Sequence, residues 1–262
     1  MRRLFDRTLK PVCVSARSVT IRWLERRNGI HTEVEIELED LGVDAPGRVR
    51  YKPAAWFIMR RILPPRKVAS DDVFIDMGSG MGRAVFQAAR SYPFRRVIGV
   101  EISNELNRAA RANIDRSRGR LRCREVLLVS ADILDYEFPD DVTVVFFNNP
   151  LVGELFAAAA EKVLASVDRR PRRVRVIYCN PIEHEMLMRT GRFRPVRRLR
   201  GLRPSAEWSR SNSTRMYEVS ARSRRDTAPE SRLSRRLRGG VRYALWVRCR
   251  AEQFRHLDVA GR

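Results

Sequence analysis

From Asp72 onward the chain alternates short, almost wholly apolar runs with longer amphipathic ones. Residues 73–76, 96–101, 126–130, 142–147 and 174–179 read as strands. Residues 83–91, 104–118 and the alanine-rich 154–167 read as the helices between them. Strands that are apolar throughout must be covered on both faces, which is the requirement of a parallel α/β sheet. Residues 193–200 and 216–221 form two later strands around a loop rich in Ser and Arg, and a hairpin there adds an antiparallel edge.

The first 67 residues read as an accessory segment. Residues 19–27 end in Asn28-Gly29, and two readings stay open. The glycine caps a basic helix, or it turns a hairpin whose second arm alternates Val34, Ile36 and Leu38 with glutamates. Residues 54–63, closed by Pro64-Pro65, read as a helix. The organisation expected is an N-terminal accessory or lid segment over 1–67, a main domain over 68–221 and a basic tail over 222–262. The tail reads as an amphipathic helix docked on the domain, a partner or a membrane surface, or else as disordered chain.

Charge changes this picture little. The net charge of +22 comes from the two ends. Residues 1–67 hold 15 basic side chains against 8 acidic ones and residues 189–262 hold 21 against 6, whereas residues 68–188 are balanced at 17 of each. All but 4 of the 53 basic residues are arginine, which suits a genome rich in arginine codons as well as a polyanionic partner. No apolar run is long enough to span a bilayer and no apolar stretch follows the basic N-terminus, so a cytoplasmic location is expected. The four cysteines are far apart and the three histidines are scattered, which argues against a disulfide framework or a metal site.

The stretch that carries chemistry is Val73-Phe74-Ile75-Asp76-Met77-Gly78-Ser79-Gly80-Met81-Gly82-Arg83. A strand ends in a carboxylate, glycines follow at i, i+2 and i+4, and a helix begins. Glycine permits a sharp turn and brings backbone against a ligand. The nicotinamide fingerprint places its third glycine at i+5. Here the third glycine is at i+4, and Asp76 stands where a pyrophosphate would be repelled but an ammonium welcomed. The second strand ends in Glu101, suited to both hydroxyls of a ribose, with Ile102 able to pack on an adenine. The third strand leads into Asp132 and Ile133.

This order of acidic strand ends around a glycine bend resembles class I S-adenosylmethionine-dependent methyltransferases. The resemblance, which covers roughly residues 68–188, implies a Rossmann-like seven-stranded sheet, mostly parallel with an antiparallel edge, and S-adenosyl-L-methionine as cofactor. It implies Asp76, Gly78, Ser79, Gly80, Gly82, Glu101, Ile102, Asp132, Ile133 and Asn148 as cofactor-binding residues, with Asp132 facing the adenine amino group. The fourth strand runs into Phe147-Asn148-Asn149-Pro150-Leu151 at the position resembling motif IV. The second proline and the stacking aromatic of the base methyltransferases are missing. Asn148-Asn149 and the glycine motif are similar instead to the Dot1-like lysine methyltransferases, which continue with Asn-Phe where this chain has Asn-Pro.

Methyl transfer from a sulfonium is an in-line displacement that calls for positioning and needs no metal. Asn148 and Asn149 are therefore the candidate catalytic residues, orienting an oxygen or nitrogen acceptor on a small molecule or a protein side chain. The alternatives are an RNA or DNA methyltransferase that holds phosphates with its arginine-rich ends, and a non-catalytic binding module. Glu183 and His184 follow the fifth strand and are candidates for a general base, although a surface histidine opening a helix is the plainer reading. Tyr51 reads equally as part of a lid or as packing between Trp56 and the sheet.

Overall fold

The computed structural model describes residues 10–37, 39–41, 47–200 and 213–222. The expectation for the tail therefore lies outside the described residues from 223 onward, as does the loop over 201–212. Among the described residues seven strands form one sheet in the order β3-β2-β1-β4-β5-β7-β6. They are β1 (Val73–Met77), β2 (Arg96–Glu101), β3 (Glu125–Ser130), β4 (Val144–Phe147), β5 (Val174–Cys179), β6 (Phe193–Arg200) and β7 (Ser213–Val219). The first five run parallel, while β7 pairs antiparallel with both β5 and β6.

The helices are α1 (Lys10–Asn28), α2 (Ile58–Ile62), α3 (Arg83–Ser91), α4 (Asn104–Asp115), α5 (Gly153–Arg169) and α6 (His184–Arg189). Val73, Ile75 and Met77 of β1 face a core completed by Phe156, Ala159 and Val163 of α5. Phe74 faces the opposite core with Val85, Phe86, Ala88 and Ala89 of α3. Burial on both faces is why these strands read as unbroken apolar runs. Strand order reverses between β1 and β4, so the loops after β1, β2 and β4 open on one crevice at the carboxyl ends of the strands.

The Asn28-Gly29 ambiguity resolves as a helix end: Gly29 has φ +69° and donates to Arg26 O at 3.2 Å. Beyond Gly29 the chain continues as an extended arm that meets the sheet domain directly. Ile30, Ala54, Met59, Ile62 and Leu63 are all buried in the α3-side core. The helix expected over 54–63 shrinks to α2 because the chain ahead of it makes tertiary bonds instead. Phe57 N donates to Gln87 Oε1 at 2.9 Å, Ala54 and Ala55 carbonyls accept from Arg83 and Gln87, and Phe57 takes a left-handed φ of 63°. The helix expected over 104–118 stops at Asp115, where Ser117 Oγ turns to donate to Asn28 O at 3.1 Å.

Candidate active site

At the switch point lies a cleft of about 720 Å³, counting the space that opens to solvent. Its wall includes Asp76, Gly78, Ser79, Glu101, Ile102, Asp132, Ile133, Asn148 and Asn149, so nine of the eleven residues expected to hold the cofactor or orient the acceptor come together. Gly80 and Gly82 are not part of that wall. They shape the bend beneath it.

The bend works by close approach. A Cβ on Gly78 would meet Pro150 Cβ at 2.4 Å, and one on Gly80 would meet the Tyr51 ring at 2.2 Å. Both have positive φ, +88° and +52°, which L side chains rarely adopt. The amides of the bend are not held out for a ligand, contrary to the expectation from the motif. Gly78 N and Ser79 N both donate to Val100 O at 2.9 Å, Gly80 N donates to Glu101 Oε2 at 2.7 Å, and Gly82 N donates to Ser79 O at 2.9 Å. The glycines thus supply room and curvature, while polar contacts are left to side chains.

Asp76 is the side chain best placed to supply them. Its carboxyl is only 2% exposed, and among the described residues Oδ1 has no hydrogen-bond partner, as is true of the neighbouring Ser79 Oγ. Burial, reinforced by the charge of Glu101, pushes Asp76 well above the usual carboxylate range. A buried carboxylate with an idle oxygen is costly unless a cation pairs with it. Burial also raises Glu101, and backbone amides including those of Ser103 and Gly80 pull it back. Asp132 accepts from Leu134 N at 3.0 Å through Oδ1 and is ion-paired with Arg48 through Oδ2, a partner the sequence did not suggest. These groups fit S-adenosylmethionine: an anionic notch at Asp76, a carboxylate at the end of β2 for a ribose, and apolar Ile102 and Ile133 beside the third.

Across the bend, the turn after β4 presents Asn148 and Asn149. Asn148 Nδ2 donates to Lys52 O at 2.7 Å, which leaves its amide oxygen to other partners. Asn149 sits at φ 60°, a left-handed conformation that asparagine tolerates better than most residues, and its Oδ1 accepts from Tyr178 Oη at 3.4 Å.

A strap over residues 47–54 borders the cleft. It is tied to the motif IV turn by Val49 N to Pro150 O at 3.1 Å and Val152 N to Gly47 O at 2.9 Å, and to the arm by the Ile36–Tyr51 bridge. Tyr51 lies on Gly80 and lines the cleft, with Oη donating to Thr32 O at 2.9 Å. Trp56 stands apart from it, edge-on to Phe86 at 6.2 Å. Beneath the strap Arg83, 3% exposed, donates to Thr32 Oγ1 at 2.5 Å, pairs with Glu25 at 2.8 Å and Glu33 at 2.7 Å, and lies 5.4 Å from the Trp56 ring. Sequence reasoning missed Arg48, Arg83 and the network around Glu25. The one available signal was an arginine at the start of a helix, where the dipole disfavours cations.

Glu183 and His184 are not brought to the cleft. Glu183 is buried and accepts from Gly153 N at 2.9 Å, fixing the start of α5. His184 opens α6 with Nδ1 3.0 Å from Tyr217 Oη, and burial together with Arg215 lowers its pKa.

The family model for the histone methylation protein DOT1 matches residues 54–188. A protein-lysine N-methyltransferase of Saccharolobus islandicus is 31% identical over 116 residues, which are 44% of this chain and 70% of that protein. The H3 lysine-79-specific histone-lysine N-methyltransferase of Drosophila melanogaster is 32% identical over 108 residues, 38% of this chain and only 6% of that much longer protein. A solved tRNA m1G37 methyltransferase of M. jannaschii overlaps with a TM-score of 0.46 at 10% identity, covering 66% of this chain and 51% of its own. No helix among the described residues is long and apolar enough to cross a membrane. The match runs from the strap through both asparagines to α6, and on it this chain belongs to the DOT1 histone methylation family: it is a class I methyltransferase whose cofactor is S-adenosylmethionine.

Proposed function

We propose that the methyl acceptor is the ε-nitrogen of a lysine in a protein. In this reading Asp76, Gly78, Ser79, Gly80, Gly82, Glu101, Ile102, Asp132, Ile133 and Asn148 hold the cofactor, and Asn148 and Asn149 orient the acceptor. When bound, the cofactor supplies an electrophilic methyl on a sulfonium. The observation that carries the proposal is the contact between Gly78 and Pro150, which sets the Asn148–Asn149 amides against the bend that the cofactor must follow. The kinship with lysine methyltransferases supports nitrogen over oxygen as the acceptor atom.

The nitrogen attacks with its lone pair, so the lysine must arrive unprotonated. Asn148 Oδ1 is suited to accept a hydrogen from that amine, because Nδ2 is already committed to Lys52 O. Asn149, held by Tyr178, presents a donor amide on the same turn. Neither group needs to ionise. Orientation and exclusion of water supply the rate. The test is transfer of a tritiated methyl to fractionated cell protein, followed by hydrolysis and identification of the labelled amino acid. Methyl-lysine is expected, and Asn149→Ala should lower turnover about a hundredfold with cofactor affinity changed only a few-fold. Label recovered only in RNA, or an unchanged rate for Asn149→Ala, would overturn the reading.

A further inference from the structure

On the outer side of the α3 layer the described residues form a second groove, between α1, residues 56–60 and the second half of α3, lined by Trp23, Arg27, Trp56, Phe57, Arg60 and Arg90 among others. Trp23 is 54% exposed and Phe57 46%. Phe57 is held outward at a left-handed φ of 63°, a conformation costly for a bulky residue. Among the described residues no Asp or Glu lines the groove, and none of its three arginines is paired with a carboxylate. Arg27 lies 5.1 Å from the Trp23 ring and Arg90 lies 5.9 Å from Phe86. Glu25, the one acidic residue of α1, turns inward to Arg83, whereas Arg22 and Arg26 stay exposed beside Trp23.

Exposed aromatic rings set among guanidinium groups that have no carboxylate partner call for a ligand that is both flat and anionic. Unpaired nucleotides answer both needs, since bases stack on the rings while phosphates meet the arginines. A duplex hides its base faces, and an acidic peptide offers carboxylates without a succession of flat surfaces. We propose that this groove docks single-stranded nucleic acid, apart from the cleft where the methyl is transferred. The inference goes beyond the acceptor assignment and does not depend on it.

The experiment is a fluorescence anisotropy titration of the full chain with a labelled oligothymidylate and with a blunt duplex of equal length, at several salt concentrations. Because the chain is strongly basic, the deciding variants keep its charge. Trp23→Ala with Phe57→Ala should weaken the single strand about tenfold or more and leave the salt slope unaltered. Trp23→Phe, which keeps a ring, should restore much of the loss. Arg27→Gln with Arg60→Gln should lower the slope instead. Melting temperature and S-adenosylhomocysteine affinity should stay near wild type in all of them, since the altered side chains are exposed. The proposal is overturned if the double aromatic variant binds as the wild type does, if the duplex binds as tightly, or if an acidic peptide of equal charge displaces the strand as well as unlabelled oligothymidylate.

Discussion

At the scale of single residues, Asp76 concentrates the cost of the cleft. Its raised pKa means that the folded, cofactor-free protein holds this proton more tightly than the unfolded chain, whose carboxyl titrates near about 3.9. Between that value and the raised folded one the native state binds more protons, so this group's contribution to stability is lost as pH rises through the window. An ammonium against Asp76 reverses the sign by favouring the ionised form. Asp76→Asn is therefore expected to leave the cofactor-free protein as stable as wild type or more so at neutral pH. The same change should weaken S-adenosylhomocysteine about ten- to a hundredfold, the worth of a charge-assisted bond in a buried site. Thermal unfolding without ligand and calorimetric titration read the two effects separately; a fall in both would make Asp76 a structural residue only. Asp76, Glu101 and Asp132 were legible because each lies within two residues of the end of a strand that is itself legible: Asp76 is the penultimate residue of β1, Glu101 ends β2, and Asp132 follows β3. Arg48 and Arg83 were not, because their partners lie 84 and 58 residues away and no local pattern announces them.

At the scale of elements, the strap over residues 47–54 is held by backbone hydrogen bonds, by ion pairs of Arg48, Arg50 and Lys52, and by the Tyr51 phenol. Burial pushes the Tyr51 hydroxyl well up, so it remains a neutral donor to Thr32 O across the working range of pH. Tyr51→Phe removes one hydrogen bond while Thr32 O keeps the bond from Val34 N, a loss of about 1 kcal/mol in stability with little change in KM for the cofactor. Tyr51→Ala uncovers Gly80 and should raise that KM about tenfold or more while kcat changes less. Equal effects of the two substitutions on KM would remove the ring from any role as a cover. β1, β2 and β5 were read to within a residue because burial on both faces writes a continuous apolar run into the sequence. The strap carries no period, and α2 falls short of its expected length because Gln87 and Arg83, far along the chain, capture the backbone groups that a longer helix would need.

At the scale of the whole molecule, the arm after α1 is joined to the sheet through charge as well as through apolar packing. Arg83 bridges Glu25 on α1, Thr32 and Glu33 on the arm and the carbonyl of Ala54 on the strap, all directly behind the glycine bend. Such a network confers little net stability compared with apolar replacements, because desolvating each ion offsets the attraction between them, but it penalises any half-made arrangement. Arg83→Met leaves Glu25, 8% exposed, without its cation and should destabilise the protein by about 3–5 kcal/mol. Glu25→Leu should cost less, since Glu33 still pairs with the guanidinium at 2.7 Å. The double variant should be markedly more stable than the sum of the two losses predicts, with a coupling of about 1–3 kcal/mol measured by urea unfolding. Additive losses would mean that Arg83 acts through its packing on Trp56 and not through Glu25. Arg83→Lys separates the two further: lysine keeps the charge but loses the planar fork that reaches Thr32 and both glutamates at once, so it should recover only part of the stability.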